Sequence, residues 1–591
     1  MNKLKQLFSK HYSIPGSNRI AHVFRRLSLT EKTIFGAFAT LLCVSSLLAL
    51  WKVNQAFMVE MPAYGGTLTE GVVGIPRFIN PILAFSDVDR DLTALTYSGL
   101  MKATSDGTLV PDLAQSYSLS SDGRVYIFTL KPGLKFQDGT PLTADDVVFT
   151  IEKAEDPAIK SPKRPNWDGV TAEKIDDLHV KLTLKQPYAP FLENTTLGIL
   201  PKHIWENVSA DEFPFEQFNI TPIGSGPYRF GAVERNSSGI PLSYTLQSSP
   251  EYALGKPLIR TFVIRFYQNT DDLLAAYNNG DIQSMTGISP AQAHGIKQKG
   301  GLVERTPLPR IFAVFFNQNH AAVLANKEVR QALDTATDKQ AIVDTVLDGE
   351  GVVVNGPIPP GLLSDNATTT YRNETETERI AAAKKILETA GWKWNDTKKV
   401  YEKKIKKVTV PLAFSISTSD TPELSAAANM LKDMWNAVGA QVDVKISDIG
   451  ELNQTIIRSR NYDALLFGEI IGRDFDLYAF WHSSQRNDPG LNIAMYTNSK
   501  VDTLLTDART TSDYGARVAK YKAVEQDIEN DIPAVFLYAP DFLYVVPKQL
   551  MGFSFGHVTT PDERFLDITK WYTKTENIWG IFVPKTAQNN Y

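Results

Sequence analysis

The sequence predicts an α/β protein of several folding units carried behind one N-terminal membrane helix, on three observations. Its 591 residues exceed what one core organises, and at the usual domain size they make about three or four units. Residues 408–446 alternate patterns, with 408–415 and 441–446 reading as strands around a helix at 423–438 that carries Leu424, Ala427, Met430, Leu431 and Trp435. Such βαβ patterning favours a mostly parallel sheet. Residues 34–51 carry no charge and are long and apolar enough to cross a bilayer core.

The best-marked stretch is 123–153. Val125, Ile127 and Thr129, alternating with Tyr126, Phe128 and Leu130, give the β-branched and aromatic enrichment of a strand. Pro132-Gly133 turns the chain, and Leu134 and Phe136 read as a second short strand ending at Asp138-Gly139. Thr143 precedes Asp145 and Asp146, which suit the positive end of a helix dipole, and Val147, Val148 and Ile151 share one face. A helix is predicted to start there.

Composition sets further bounds. A formal charge of −5, from 61 basic and 66 acidic residues, excludes the footprint of a nucleic-acid binder. With 43% hydrophobic and 10% aromatic residues the chain is globular. Seven basic residues between Lys3 and Lys32 stand against the single acid Glu31, which places the N-terminus in the cytoplasm and the bulk of the chain outside. The apolar run ends in Lys52-Val53-Asn54-Gln55 with no small-x-small exit, so an uncleaved anchor is expected rather than a signal peptide. Cys43 is the only cysteine. Leu42 precedes it and the apolar run continues beyond it, which argues against lipid attachment, and the outer portion has no disulfide.

The segment 123–153, with its strand, turn and LKFQDGTPLTADDVVFTI run, resembles extracellular solute-binding protein family 5, the peptide-type receptors of ATP-binding cassette importers. Further matches follow in the family's order over about 63–545: Gly65 to Leu68 as its opening strand, Asn80-Pro81, the approach at 112–123, the turn at Pro222, Gly224, Gly226, Pro227 and Tyr228, the helix pair at 326–342, and the return crossing at 532–540. The resemblance implies a periplasmic-binding-protein-like type II fold of two lobes with a cleft, in the large cluster C variant with an extra N-terminal subdomain. The expected organisation is a basic cytoplasmic segment at 1–33, a transmembrane anchor at 34–52, a tether at 53–62, lobe I with the extra subdomain at 63–312, lobe II at 313–540, and a return to lobe I at 541–591.

Binding candidates follow from the same reading. Asn317, Gln318 and Asn319 emerge at the end of a buried strand, where ligands sit in open α/β sheets. Asn80, Ser225 and Gly226 are implied by the resemblance. The buried strand from Asp463 runs into a polar, aromatic segment in which Arg473, Asp474, Asp476 and Trp481 are expected to touch ligand, with Tyr496 as an aromatic wall. The family's amine-binding aspartate falls near Gly472, so Glu469, Asp474 or Asp476 would have to substitute. Core packing for Trp481 and Tyr496, and a loop ion pair with Arg473 or Arg486 for the two aspartates, are the plain alternatives.

Other chemistry fails on spacing. Asp87, Asp89 and Asp91 open like a calcium loop, but Leu92 and Ser98 stand where Gly and Glu are required, and the aspartates read as the exposed start of an amphipathic helix. No Lys-Ser/Thr follows Gly224-Ser225-Gly226, and no HExxH occurs. No cofactor, metal or catalytic group is expected. The expected function is an extracytoplasmic receptor that captures oligopeptides or similar solutes and delivers them to a permease with its ATPase subunits. A membrane-anchored sensor or scaffold is the alternative.

Overall fold

A computed structural model of the chain describes residues 27–359, 374–405 and 408–582. The basic residues from Lys3 to Arg26, and Gly361 and Lys407 of the charged segment, lie outside the described residues. The chain divides into two compact units, Tyr64–Thr573 and the two ends, Met1–Ala63 with Lys574–Tyr591.

In the unit of the ends, one helix spans Leu29–Phe57 with every side chain outside any core. It is capped by Ser28, whose hydroxyl accepts from the Glu31 N–H while the Glu31 carboxylate accepts from the Ser28 N–H. It therefore overruns the expected span at both ends. The tether expected at 53–62 is helix to Phe57 and then a strand, Met58–Pro62, because Thr575–Trp579 offers it an antiparallel partner.

In the large unit the sequence forms two α/β lobes on a twelve-stranded sheet. At one end Gln441–Ser447, Ala413–Ser419 and Ala464–Ile470 lie in order and parallel; at the other lie Gly65–Val73, Ile259–Tyr267, Pro241–Ser248 and Tyr228–Arg235. Between them runs one long strand, Ala534–Val546. Its first half pairs with Arg310–Phe316 and its second with Leu302–Pro307. Two neighbouring antiparallel strands thus carry the chain between lobes, bending at Leu308-Pro309 and at Pro540, where the Leu308 N–H donates to the Pro540 carbonyl at 3.1 Å. The parallel sheet predicted for the second lobe holds for its three outer strands. Of the two crossing strands only Arg310–Phe316, which brings the chain into the lobe, runs against them; Ala534–Val546, which takes it out, pairs antiparallel with Arg310–Phe316 and so runs in the same sense as the outer three.

Each lobe II face has its own core. The helix Pro422–Val438 buries Leu424, Ala427, Leu431 and Trp435 on one side of the sheet, and the Trp435 indole N–H donates to the Leu333 carbonyl at 3.0 Å. The stretch 123–153 sits in a separate subdomain. Val125–Leu130 pairs with Ala114–Leu119 and His179–Leu184 in a four-stranded sheet, and the predicted helix forms at Ala144–Glu155. Leu134 and Phe136 do not form a second strand. Their segment folds into a compact loop with a single bridge, Lys135 to Pro141, because Gln137 is committed elsewhere: its amide donates to the carbonyls of Thr96, Gly226 and Tyr228 at 3.2, 3.2 and 2.8 Å.

The helix Asp87–Thr96 corrects a second expectation. Asp87 is exposed, but Asp89 and Asp91 are buried. Asp89 accepts from the N–H groups of Arg77 and Phe78 at 2.7 and 2.9 Å, and Asp91 receives the Arg564 guanidinium through two contacts of 2.6 Å. Arg564 also binds Glu70 at 2.6 Å, and all three side chains are sealed from solvent. Burial works against the guanidinium charge, but Asp91 and Glu70 outweigh it and hold its pKa well above the usual value. Arg564→Leu leaves two carboxylates buried without their counter-charge and is expected to cost about 3–5 kcal/mol of stability. Denaturant unfolding of the variant measures this, and Asp91→Asn added to it should restore part of the loss.

Candidate functional site

Three parts of the large unit enclose a cavity of about 630 Å³. One wall is the end of the helix Asp87–Thr96 and the ribbon that follows it, with Arg90, Thr93, Tyr97 and Lys102 facing inward. A second is the subdomain segment that holds Tyr188 and Glu193, joined by Asp562 and Glu563 from the short 3-10 helix Pro561–Phe565. Lobe II supplies the third, the loop with Gly472, Arg473, Asp474 and Asp476 that leaves the strand Ala464–Ile470.

The lobe II loop is held by charge. Arg473 is buried, with its Nη2 at 2.6 Å from the Glu563 carboxylate and its Nε at 3.6 Å from Glu193. Asp476 is gripped by Arg509 at 2.6 and 2.8 Å and lies 3.5 Å from the Tyr188 hydroxyl. The Arg509 guanidinium centres 3.9 Å over the Tyr478 ring, a favourable cation–π contact. The alternative ion pairs of Asp474 and Asp476 with Arg473 or Arg486 do not form; Arg509 takes Asp476, since Arg473 is turned toward the other lobe.

The walls hold polar atoms without a hydrogen-bond partner among the described residues: Thr93 Oγ1, Tyr97 OH, Asp112 Oδ1 and Arg473 Nη1, while Arg90 Nε and Asp562 Oδ1 meet only as an ion pair at 4.0 Å. Buried polar groups ordinarily have partners, so this density sets the cavity apart as a polar surface suited to recognition.

The sequence candidates divide sharply. Arg473, Asp474 and Asp476 line the cavity. Asn80 is buried against Asn219 at 3.0 Å and ties down its own turn by accepting from the Ile82 N–H; only its neighbour Pro81 reaches the cavity. Ser225 and Gly226 lie beneath the wall. Gly226 donates to the Thr96 carbonyl at 2.9 Å, and a side chain there would come within 2.6 Å of the Thr96 and Tyr97 backbone, so this turn props the helix end that presents Tyr97. Asn317 is buried, donates to the Arg460 carbonyl at 2.9 Å and accepts from the Asn319 N–H, while Asn319 is exposed; neither borders the cavity. Trp481 and Tyr496 are lobe II core, their rings 6.0 Å apart, with the Tyr496 hydroxyl on Asp531 at 2.6 Å. Glu469 is also buried, inside lobe II and away from the cavity walls.

Sequence reasoning missed Lys102, Asp112, Glu193, Asp562 and Glu563 as site residues. No local pattern marks them, because each belongs to a different segment and they converge only in the folded chain.

Burial and crowding shift the carboxyls of these walls. Burial lifts Glu193 to about 7; Arg473 opposes this, and Asp474 and Glu563 add to it. Burial, with Asp476 beside it, lifts Asp474 to about 6. An acid whose folded pKa is raised stabilises the fold below its unfolded pKa and loses that contribution as pH climbs through the folded value. Stability should therefore fall between about pH 4.5 and 7 on account of Glu193. Melting temperatures recorded across this window should decline less in Glu193→Gln than in the unaltered protein, and an unchanged slope would remove Glu193 as the cause.

Residues 108–490 match the family model described as bacterial extracellular solute-binding proteins, family 5 Middle. The chain is 29% identical over 522 residues to the oligopeptide-binding protein AppA of Bacillus subtilis, an alignment covering 86% of this chain and 92% of that one. The structure of that protein in complex with a nonapeptide superposes with a TM-score of 0.64 at 27% identity, over 87% of this chain and 99% of the other. The ABC transporter substrate-binding protein CtaP of Listeria monocytogenes superposes with a TM-score of 0.71 at 27% identity, over 86% of this chain and all of the other. With the two-lobed fold and a cavity walled from both lobes, this match makes the chain a member of the bacterial extracellular solute-binding proteins of family 5.

Proposed function

We propose that this chain is the extracytoplasmic receptor of an ATP-binding cassette importer, closing two lobes on a short peptide or similar small solute and presenting it to a permease. The observation that carries this reading is the cavity itself, bounded from both lobes and lined with buried polar atoms lacking partners. Its volume of about 630 Å³ falls within the range of about 300–1,000 Å³ typical of small-molecule sites. The relatives' oligopeptide and nonapeptide ligands point to peptides as the solute class. The lobe boundaries proposed are 63–312, 313–540 and 541 onward, with the site residues Arg473, Asp474 and Asp476 carried by the second lobe.

The role is binding without turnover. To convert a mostly open receptor to a mostly closed one, the solute must prefer the closed form by about 10⁴, roughly 5.5 kcal/mol. Contacts made by the Arg473 loop from one side and by the subdomain from the other supply such a preference only when both lobes touch the ligand.

The helix Leu29–Phe57 serves in this reading as an uncleaved anchor with its basic end in the cytoplasm, keeping the receptor at high local concentration beside its permease. The full chain should remain in the membrane pellet after alkaline carbonate washing; release into the supernatant would count against the anchor.

Native mass spectrometry of the full chain, purified gently from its host, should show a co-purifying pool of peptides. Asp474→Ala should then weaken binding of those peptides by about tenfold or more, the scale of one lost charge-assisted contact. A protein that carries no peptide, and whose melting temperature is unmoved by a peptide library, would refute the peptide reading.

A further inference from the structure

Two charged side chains on one wall of the cavity are left unused by the contacts that join the lobes. The ribbon formed by Met101–Ala103 and Leu109–Pro111 is antiparallel, with Lys102 opposite Val110. Asp112 lies in the bend just past the ribbon's end, one step beyond Pro111, which pairs with Met101 beside Lys102. Its N–H donates to the Leu100 carbonyl at 3.0 Å. Both border the cavity.

The ribbon brings both to the cavity without joining them. The Lys102 ammonium donates to the Tyr252 hydroxyl at 3.3 Å and makes no ion pair among the described residues. Asp112 is buried, and its Oδ1 has no partner among the described residues. Asp112 is buried and Lys102 half-buried, and although each feels the other's charge no hydrogen bond or ion pair joins them, so part of their desolvation cost stays unoffset in the unliganded protein. Burial accordingly pulls the Lys102 pKa down, against the opposing effect of Asp112 and Asp567, and pushes Asp112 up to about 6. A solute bearing both charges would satisfy the two at once.

We infer that Lys102 and Asp112 form a docking corner for a zwitterionic solute, with Asp112 accepting from its ammonium and Lys102 donating to its carboxylate. This rests on the receptor reading above and adds a subsite outside the lobe II loop. Because one ribbon and the bend at its end carry both residues, the corner is complete before the lobes close, so it captures the solute first and the Arg473 loop then covers it. An amino acid and a short peptide with free ends share the required chemistry.

The test uses the full chain in lipid nanodiscs. The probes are the twenty amino acids and random dipeptide and tripeptide pools, each in free, N-acetylated and C-amidated form, with binding read by native mass spectrometry and titration calorimetry. Blocking either end should weaken binding by about 10- to 100-fold, the scale of a hydrogen bond to a charged group. Asp112→Asn should lose a similar factor against the free ligand and almost nothing further against its N-acetylated form; Lys102→Met should behave likewise toward the C-amidated form. Binding of amino acids alone, or only of the longer pools, identifies the solute while supporting the corner. If free and blocked peptides bind the unaltered chain equally, the corner is wrong and the receptor reading stands, a result that does not depend on how the variants fold. If the chain binds no probe in any form, the peptide reading falls and the corner with it.

Discussion

Arg564 is the interaction on which the large unit depends. Its guanidinium meets Glu70 from the opening strand and Asp91 from the first helix of that unit, and Glu70 also accepts from the Tyr544 hydroxyl of the long crossing strand at 2.6 Å. The Pro561 carbonyl takes a further N–H at 2.7 Å, and the Phe565 ring lies 4.0 Å from the guanidinium centre. One side chain near the end of the unit thus unites segments that are hundreds of residues apart. Taking three charges out of water is unfavourable, and the arrangement persists because guanidinium nitrogens and carboxylate oxygens are paired at close range.

The consequence reaches the cavity. Asp562, Glu563 and Phe565 flank Arg564 and line the cavity, and the helix that carries Asp91 presents Arg90, Thr93 and Ala94 to the same space. A rigid buried clamp therefore stands directly behind two walls of the site. From across the cavity Arg473 reaches Glu563 and Glu193, so the lobes meet through charges whose positions the clamp has already set. The connection between the lobes is made by two neighbouring strands that carry prolines where they cross, Pro307 and Pro309 on one side and Pro540 on the other. Rigid walls and a slender connection are what a cleft receptor requires, since binding energy must go into lobe closure rather than into ordering the walls.

Much of this organisation could be read along the chain. Apolar alternation placed Val125–Leu130, unbroken apolar runs placed Arg310–Phe316 and Ala464–Ile470, and capping chemistry placed the start of Ala144–Glu155. These features depend on residues within a turn or two of each other. The loop at 134–140 escaped because Gln137 answers to carbonyls on two distant segments. Asp89 and Asp91 misled for the same reason: a charged residue at a helix start is exposed by default, and only a distant Arg564 or a nearby turn of free N–H groups makes its burial tolerable. Trp481 and Tyr496 carry the chemistry of a ligand wall, yet their environment is lobe II core, and residue type alone does not distinguish the two.

The sequence by itself determined the family resemblance, through it the two-lobed α/β class, and the apolar N-terminal helix, and it singled out the segment with Arg473, Asp474 and Asp476 as a candidate, because motifs and apolar runs are encoded in contiguous residues. Tertiary structure alone decided that Lys102, Asp112, Glu193 and Glu563 share one cavity with that loop, and that Asn317 and Asn319 do not. The physical reason is range. Periodicity and capping act over a few residues, whereas the field inside a cleft is the sum of charges brought together by strand register and hinge geometry from every part of the chain.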